Sequence, residues 1–335
     1  MRRHELRGNS TGEFHYRLPG RVSGQRPGSH PGSSTGAGQE FVTHMSLYDR
    51  PDPRRLDLRA SLRGFNDDWL VRVNRQRAGA AVRAIVDVSA SMTFGSQRPK
   101  LHVVADFVEA LGLSAFRVGD AVGMMAFDES ERADLFMPAR VSRGMGSVMA
   151  AALRELCDAD GVAGAGVTDS TSVSAAGSTQ TARGARASRA AHRQRISHGA
   201  PGDIGLSDGL EDAASRLAGQ QGLVFLVSDF HWPLERLDIV LDLLAHAGVV
   251  PVIVWDPAET EPPSPNALAS LRDTESGARR TLWLRPRLRQ EWRQAVARRR
   301  AEIDSFFAAH SIRPFYVEGA FNADALSRHF FEADL

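Results

Sequence analysis

The chain has 335 residues, 41 basic side chains against 40 acidic ones for a net charge of +1, and a single cysteine, Cys157. That length holds one α/β domain of about 200 residues with extensions and an ample core. One cysteine excludes an intramolecular disulfide and a thiolate zinc cluster, which points to a reducing compartment.

The opening Met1-Arg-Arg-His-Glu5 lacks the apolar core of a signal peptide. No stretch approaches the roughly 20 apolar residues of a membrane span, so a cytoplasmic location without membrane insertion is expected. Residues 1–39 form a basic lead-in, rich in Gly, Ser, Pro and Arg from 8 onward, whose composition predicts flexibility. Phe41, Trp69, Leu70 and Val71 mark short strands in a segment over 40–78. The run Ala81-Val-Arg-Ala-Ile-Val-Asp87 then reads as a strand, Lys100 to Arg117 as a helix with Leu101, Val104, Phe107, Val108, Leu111 and Ala115 on its apolar face, and Asp120 to Phe127 as a buried strand. A helix near Ser147 to Cys157 precedes an Ala/Gly/Ser/Thr/Arg tract over 158–201, long enough to read as a disordered insertion or a partner-binding arm. Leu206, Leu210, Ala213, Ala214 and Leu217 predict the next helix. The continuous apolar run Gly222-Leu-Val-Phe-Leu-Val-Ser-Asp-Phe230 predicts a buried parallel strand. Leu234 to Ala247 reads as a helix and Val249 to Trp255 as a strand. This alternation predicts a doubly wound, mostly parallel α/β sheet over 79–256. From 257 to 335 an extension completes the fold. It holds a hairpin of Ala267–Arg272 and Arg279–Leu284, a helix from Leu288 to His310 turning Trp292, Val296, Ile303 and Phe306 inward, a strand Arg313–Glu318 and a terminal helix from Asn322.

The chemistry concentrates at Asp87-Val-Ser-Ala-Ser91. In extended backbone, side chains two apart point the same way, so Asp87, Ser89 and Ser91 can converge just past the strand end. One carboxylate and two hydroxyls form a hard oxygen cluster suited to Mg²⁺, with Mn²⁺ or Ca²⁺ as alternatives. A Ser-rich turn is the structural alternative. The second strand end, Ser228-Asp229, supplies another carboxylate, and ligands of open α/β sheets sit beyond the carboxyl ends of the strands.

The D-x-S-x-S pattern resembles the metal-ion-dependent adhesion site of von Willebrand factor A domains. At finer grain, Asp87-Val-Ser-Ala-Ser-Met-x-Phe-Gly95, Lys100-Leu101, Val118-Gly-Asp-Ala-Val-Gly123 and Leu226-Val-Ser-Asp-Phe230 occur in one order and resemble the DUF58 family of bacterial proteins. Arg54-Arg-Leu-Asp-Leu-Arg-Ala-Ser-Leu-Arg63 is similar to that family's R-x-I-D-W-x-x-x-A-R signature, with Leu58 in place of its Trp. The lead-in, Ser142-Arg-Gly-Met-Gly146 and the lack of anchors are similar to the member found in methanol-oxidation gene clusters. Resemblance implies a von Willebrand factor A-like fold, a MoxR-type AAA+ ATPase as working partner, and a client protein, methanol dehydrogenase at its calcium-insertion step. One departure stands out: the family's Thr before a helix is missing at Gly202-Asp203-Ile204. Asp203 or Ser207 is the substitute oxygen or else a helix N-cap.

Arginines at Arg285, Arg287, Arg289, Arg293, Arg298, Arg299 and Arg300 read as the solvated face of a helix, with a protein partner as their functional use, in preference to a nucleic-acid stripe. The phosphate-loop, dinucleotide and zinc-protease motifs are absent from the sequence, and His231 reads as a loop histidine bordering the metal site. The expected protein is a non-catalytic interaction module that grips a partner through Asp87, Ser89, Ser91 and Asp229. A metal-dependent hydrolase and a scaffold with a degenerate metal site are the alternatives.

Overall fold

The computed structural model describes residues 12–20, 26–36, 38–63, 68–164, 207–262, 268–272, 279–283 and 285–332. Near the start, β1 (Pro27–Gly36), β2 (Glu40–Ser46) and β3 (Leu70–Ala78) form an antiparallel sheet in the order β1-β3-β2, with the one-turn helix α1 (Leu58–Ser61) between β2 and β3. Glycine and proline make β1 a poor strand, and it stands at an edge with two irregularities in its register against β3.

β3 runs almost directly into β4 (Ala81–Asp87), from which the main domain is built. There follow α2 (Lys100–Val118), β5 (Ala121–Phe127), β6 (Met137–Arg140), α3 (Met145–Gly164), α4 (Ser207–Ser215), β7 (Gly222–Ser228), α5 (Leu237–Leu243), β8 (Ala247–Trp255) and α6 (Pro257–Thr260). A hairpin of β9 (Leu268–Arg272) and β10 (Arg279–Trp283) leads to α7 (Pro286–Ala309), β11 (Phe315–Glu318) and α8 (Ala323–Phe331). The main sheet has six strands in the order β11-β8-β7-β4-β5-β6, parallel throughout except for β6. This is the doubly wound α/β architecture that the alternating elements predict.

Two-residue periodicity decides what each face meets. Val82, Ala84 and Val86 of β4 face a layer containing α2 and α3, while Ile85 faces α4, α5 and α7. The helices α2 and α3 come very close: a Cβ on Gly112 would sit 2.3 Å from the Gly146 Cα, so the Ser142–Gly146 stretch serves a helix crossing. Gly119 ends α2 at a φ of 81°, a conformation that costs glycine little. Pro251 is tolerated inside the sheet because β11 begins pairing one residue later, at Val252.

Several boundaries differ from the sequence reading. The helix expected over 147–157 extends from Met145 to Gly164, into the expected insertion, and 165–206 lies outside the described residues. In α7 the deepest side chains are Ile303 and Phe307; Phe306 and Val296 are only partly buried.

The largest correction concerns the lead-in. Residues 12–20 do not trail free: Phe14 is 2% exposed, its ring set among Phe107, Phe225 and Phe321. The Tyr16 hydroxyl donates to Asp120 Oδ2 (2.6 Å), His30 Nε2 lies 2.7 Å from the same oxygen, and the Ala80 amide donates to Asp120 Oδ1 (2.7 Å). Burial, then the Asp120 charge, keep the Tyr16 phenol protonated well above its ordinary range. Two aromatic side chains thus anchor a segment whose average composition reads as disordered.

Among the described residues no helix is long and apolar enough to cross a membrane. Phe14→Ala is expected to cost about 3–5 kcal/mol, the range for deleting a buried phenylalanine. Urea unfolding of the full chain measures it, and a loss below about 1 kcal/mol would show that the segment does not belong to the core.

Candidate functional site

The crossover from β4 to β5 runs to one side of β4, while β7 lies on its other side, so the carboxyl ends of β4 and β7 border a topological switch point. Asp87 ends β4 there and is fully buried. Its Oδ1 accepts the Ser89 amide (2.9 Å), which folds the chain into a tight turn, and Met92 anchors that turn in the core. The Ser89 and Ser91 hydroxyls lie 3.2 Å apart.

β7 contributes the other half. The Ser228 hydroxyl donates to Asp87 Oδ2 (2.6 Å) and accepts from the Phe230 amide (2.9 Å) and Trp232 Nε1 (3.0 Å). Asp229 accepts the His231 amide on Oδ1 (3.1 Å) and the Lys100 ammonium on Oδ2 (2.8 Å), while its backbone carbonyl accepts Trp255 Nε1 (2.8 Å). Phe230 carries the turn at a φ of 51°, a left-handed conformation that its fully buried ring holds in place.

Lys100, the first residue of α2, also donates to Glu259 Oε1 (2.7 Å). Glu259 in turn accepts the Asp256 amide and closes the capping box of α6, the Asp256-Pro-Ala-Glu259 pattern. Asp256 Oδ2 accepts the Ser96 amide (2.9 Å), which ties this turn to the loop before α2.

Two carboxylates, Asp229 and Glu259, therefore meet one ammonium. Burial, then the charge of Asp229, raise the Asp87 carboxyl to about 6, against hydrogen bonds from Ser228 and Ser89 that favour its ionised form. Burial also pushes Asp229 upward, but Lys100 and His231 more than reverse it and hold that carboxyl below its ordinary value. Lys100 is likewise opposed by burial and held above its ordinary value by Asp229 and Glu259. Glu259 is depressed, since His231 and Lys100 outweigh its burial. Asp229 is thus satisfied by a cation, whereas Asp87 has only neutral donors. Asp87, with the Ser89 and Ser91 hydroxyls beside it, is the part of the site with unmet demand for positive charge.

The four residues proposed from sequence do come together: the Ser89 and Ser91 hydroxyls lie side by side after β4, and the Asp87 and Asp229 charges act on each other. Asp203 lies outside the described residues; Ser207 is the first residue of α4. His231 borders the site, its ring parallel to Trp255 at 5.9 Å. The arginine stripe divides. Arg299 turns inward, donating to the Phe230 carbonyl from Nε (2.9 Å) and Nη2 (2.6 Å) and to the Trp232 carbonyl, and so clamps the loop after β7. Arg300 lies over the Tyr316 ring and pairs with Glu318, while Arg298 stays exposed. Arg299 is thus held inward, because two backbone carbonyls of a tight turn take its fork.

Sequence patterning does not mark Lys100, Ser228 or Glu259 as site residues, and it assigns Arg299 to a partner-binding face. Two signals were present: Lys100 is the lone lysine, and Asp256-Pro-Ala-Glu259 is a capping-box pattern.

A doubly wound α/β protein with a buried carboxylate–hydroxyl cluster at its switch point is the class that fold and site define. The sequence matches the family described as "Protein of unknown function DUF58" over residues 51–302, and the chain belongs to that family. The matched span includes every central residue of the site. No curated protein matches the sequence. Solved structures similar to this chain include the conserved hypothetical protein BatB from Bacteroides thetaiotaomicron, 13% identical, covering 76% of this chain and 99% of that one with a TM-score of 0.36. An aerotolerance-related membrane protein from Bacteroides fragilis NCTC 9343, carrying multiple mutations to serines, is also 13% identical, with 76% and 98% covered and a TM-score of 0.36.

Arg299→Ala is expected to destabilise the protein by about 1–3 kcal/mol, because it strips the donors from two loop carbonyls. Arg298→Ala should stay within about 0.5 kcal/mol of wild type in the same denaturation experiment. Equal effects would show that the clamp does not hold the loop.

Proposed function

We propose that this DUF58 protein is a non-catalytic, von Willebrand factor A-like interaction module that binds a divalent cation through Asp87, Ser89 and Ser91 and grips a partner's carboxylate there. The observation that carries this reading is the buried Asp87 carboxylate, held by neutral donors alone beside two hydroxyls 3.2 Å apart. A hard oxygen set with one charge suits Mg²⁺, which binds few protein ligands and leaves positions for water or a partner's oxygen. The cation supplies an anchor for an anionic side chain. The protein's own residues do the rest: Ser228 fixes one Asp87 oxygen, the Ser89 amide fixes the other, and Asp229 is held by Lys100.

The motif series shared with DUF58 supports a MoxR-type AAA+ ATPase as the partner. The similarity to the member of methanol-oxidation gene clusters supports a client in methanol dehydrogenase maturation, at its calcium-insertion step, in the cytoplasm. One observation favours a second reading: Lys100 already neutralises Asp229, so a site that works by hydroxyls alone, without an ion, is chemically coherent.

Millimolar Mg²⁺ or Mn²⁺ is expected to raise the melting temperature of the purified protein, since a ligand at 100 times its dissociation constant adds about 2.7 kcal/mol. Asp87→Ala should abolish the gain. An unshifted wild-type melt with no bound metal by elemental analysis decides for the metal-free reading. In a pull-down with the purified ATPase, Ser89→Ala and Ser91→Ala should each weaken capture, and a chelator should mimic them when an ion takes part. Undiminished capture by both variants would remove this face as the contact.

A further inference from the structure

Lys100 is the only lysine among 41 basic residues, and it occupies the most enclosed cationic position described, with its side chain 2% exposed. Everywhere else the chain uses arginine. The exception has a physical reason: a planar guanidinium carries five donors and needs room for a fork, whereas an ammonium is a compact point charge. At this position the ammonium sits between two carboxylate oxygens, Asp229 Oδ2 at 2.8 Å and Glu259 Oε1 at 2.7 Å.

Those two carboxylates belong to a larger set. Asp229, His231 and Glu259 each offer one ligand atom, and these atoms lie within 4.8 Å of one another. Two carboxylates and an imidazole form a donor set that suits Zn²⁺. The set joins the loop after β7 to α6, so whichever cation sits in it holds those two elements together. In this chain a cation is already there, delivered by the first residue of α2.

We propose that Lys100 is the resident cation of the Asp229–His231–Glu259 cluster and decides which cations the site accepts. The ammonium closes this half of the site to metal ions and makes the link between β7, α2 and α6 independent of them. Any external ion is thereby confined to the Asp87 corner; only this last clause rests on the function proposed above.

The test uses the full chain in an Asp87→Ala background, so that its outcome does not depend on an ion at Asp87. With Zn²⁺ added and excess removed, Asp87→Ala alone should retain no stoichiometric zinc by elemental analysis. Asp87→Ala with Lys100→Met should retain one Zn²⁺ per chain and gain melting temperature with zinc. Adding Glu259→Gln should lower that zinc affinity at least 10-fold. A folded Asp87→Ala, Lys100→Met protein that retains no zinc after loading, or zinc retention unaffected by Glu259→Gln, overturns the proposal. Should Lys100→Met fail to fold alone, refolding with Zn²⁺ is expected to rescue it, and absence of rescue overturns the proposal equally. Failure of wild type to respond to Mg²⁺ would dispose of the Asp87 reading and leave this one standing.

Discussion

The ion triad of Lys100 with Asp229 and Glu259 is the interaction on which the carboxyl end of the sheet depends. Buried charges stripped of a partner typically cost about 3–5 kcal/mol, so each member constrains the position of the other two. The constraint closes on itself through the backbone. Glu259 caps α6 by accepting the Asp256 amide, Asp256 accepts the Ser96 amide, and Ser96 lies in the loop that delivers Lys100 to the site. Trp255 and Trp292 seal the ring from two further sides by donating to the carbonyls of Asp229 and Glu259. A turn that small, carrying that much charge, is stable because nearly every polar atom in it has a partner.

The two ends of the sheet use opposite strategies for their buried aspartates. At the amino end, Asp120 receives the Tyr16 hydroxyl, the Ala80 amide and the His30 ring, a satisfied hub that fastens residues 12–20 and β1 to the domain. At the carboxyl end, Asp87 is given two neutral donors and is left beside two hydroxyls and a second carboxylate. Strength is placed where the chain must be tied down. Unmet charge is placed at the switch point, where ligands of open α/β sheets sit.

Part of this could be read from the residues in order. The oxygens of Asp87, Ser89 and Ser91 were legible because extended backbone repeats every two residues, and Asp229 was legible because an apolar run ended in an acid. The parallel sheet followed from alternating periodicities in the same way. Ser228 was not legible as the clasp on Asp87, since the two lie 141 positions apart and meet only when β7 pairs with β4. Arg299 sits in a run of three arginines that local pattern assigns to solvent; the direction of its side chain depends on a helix meeting a loop some 70 residues earlier in the chain.

By itself the sequence determined the class of fold, the order of its elements and the oxygen cluster at the end of β4, because backbone periodicity and local chemistry act within a few residues. Only the tertiary structure decided which acids are already neutralised, that Phe14 and Tyr16 draw residues 12–20 onto the core, and that Lys100 reaches across to Asp229 and Glu259. Charge balance in a buried site is a property of distances between segments remote in sequence. Composition sums those charges without saying which of them meet.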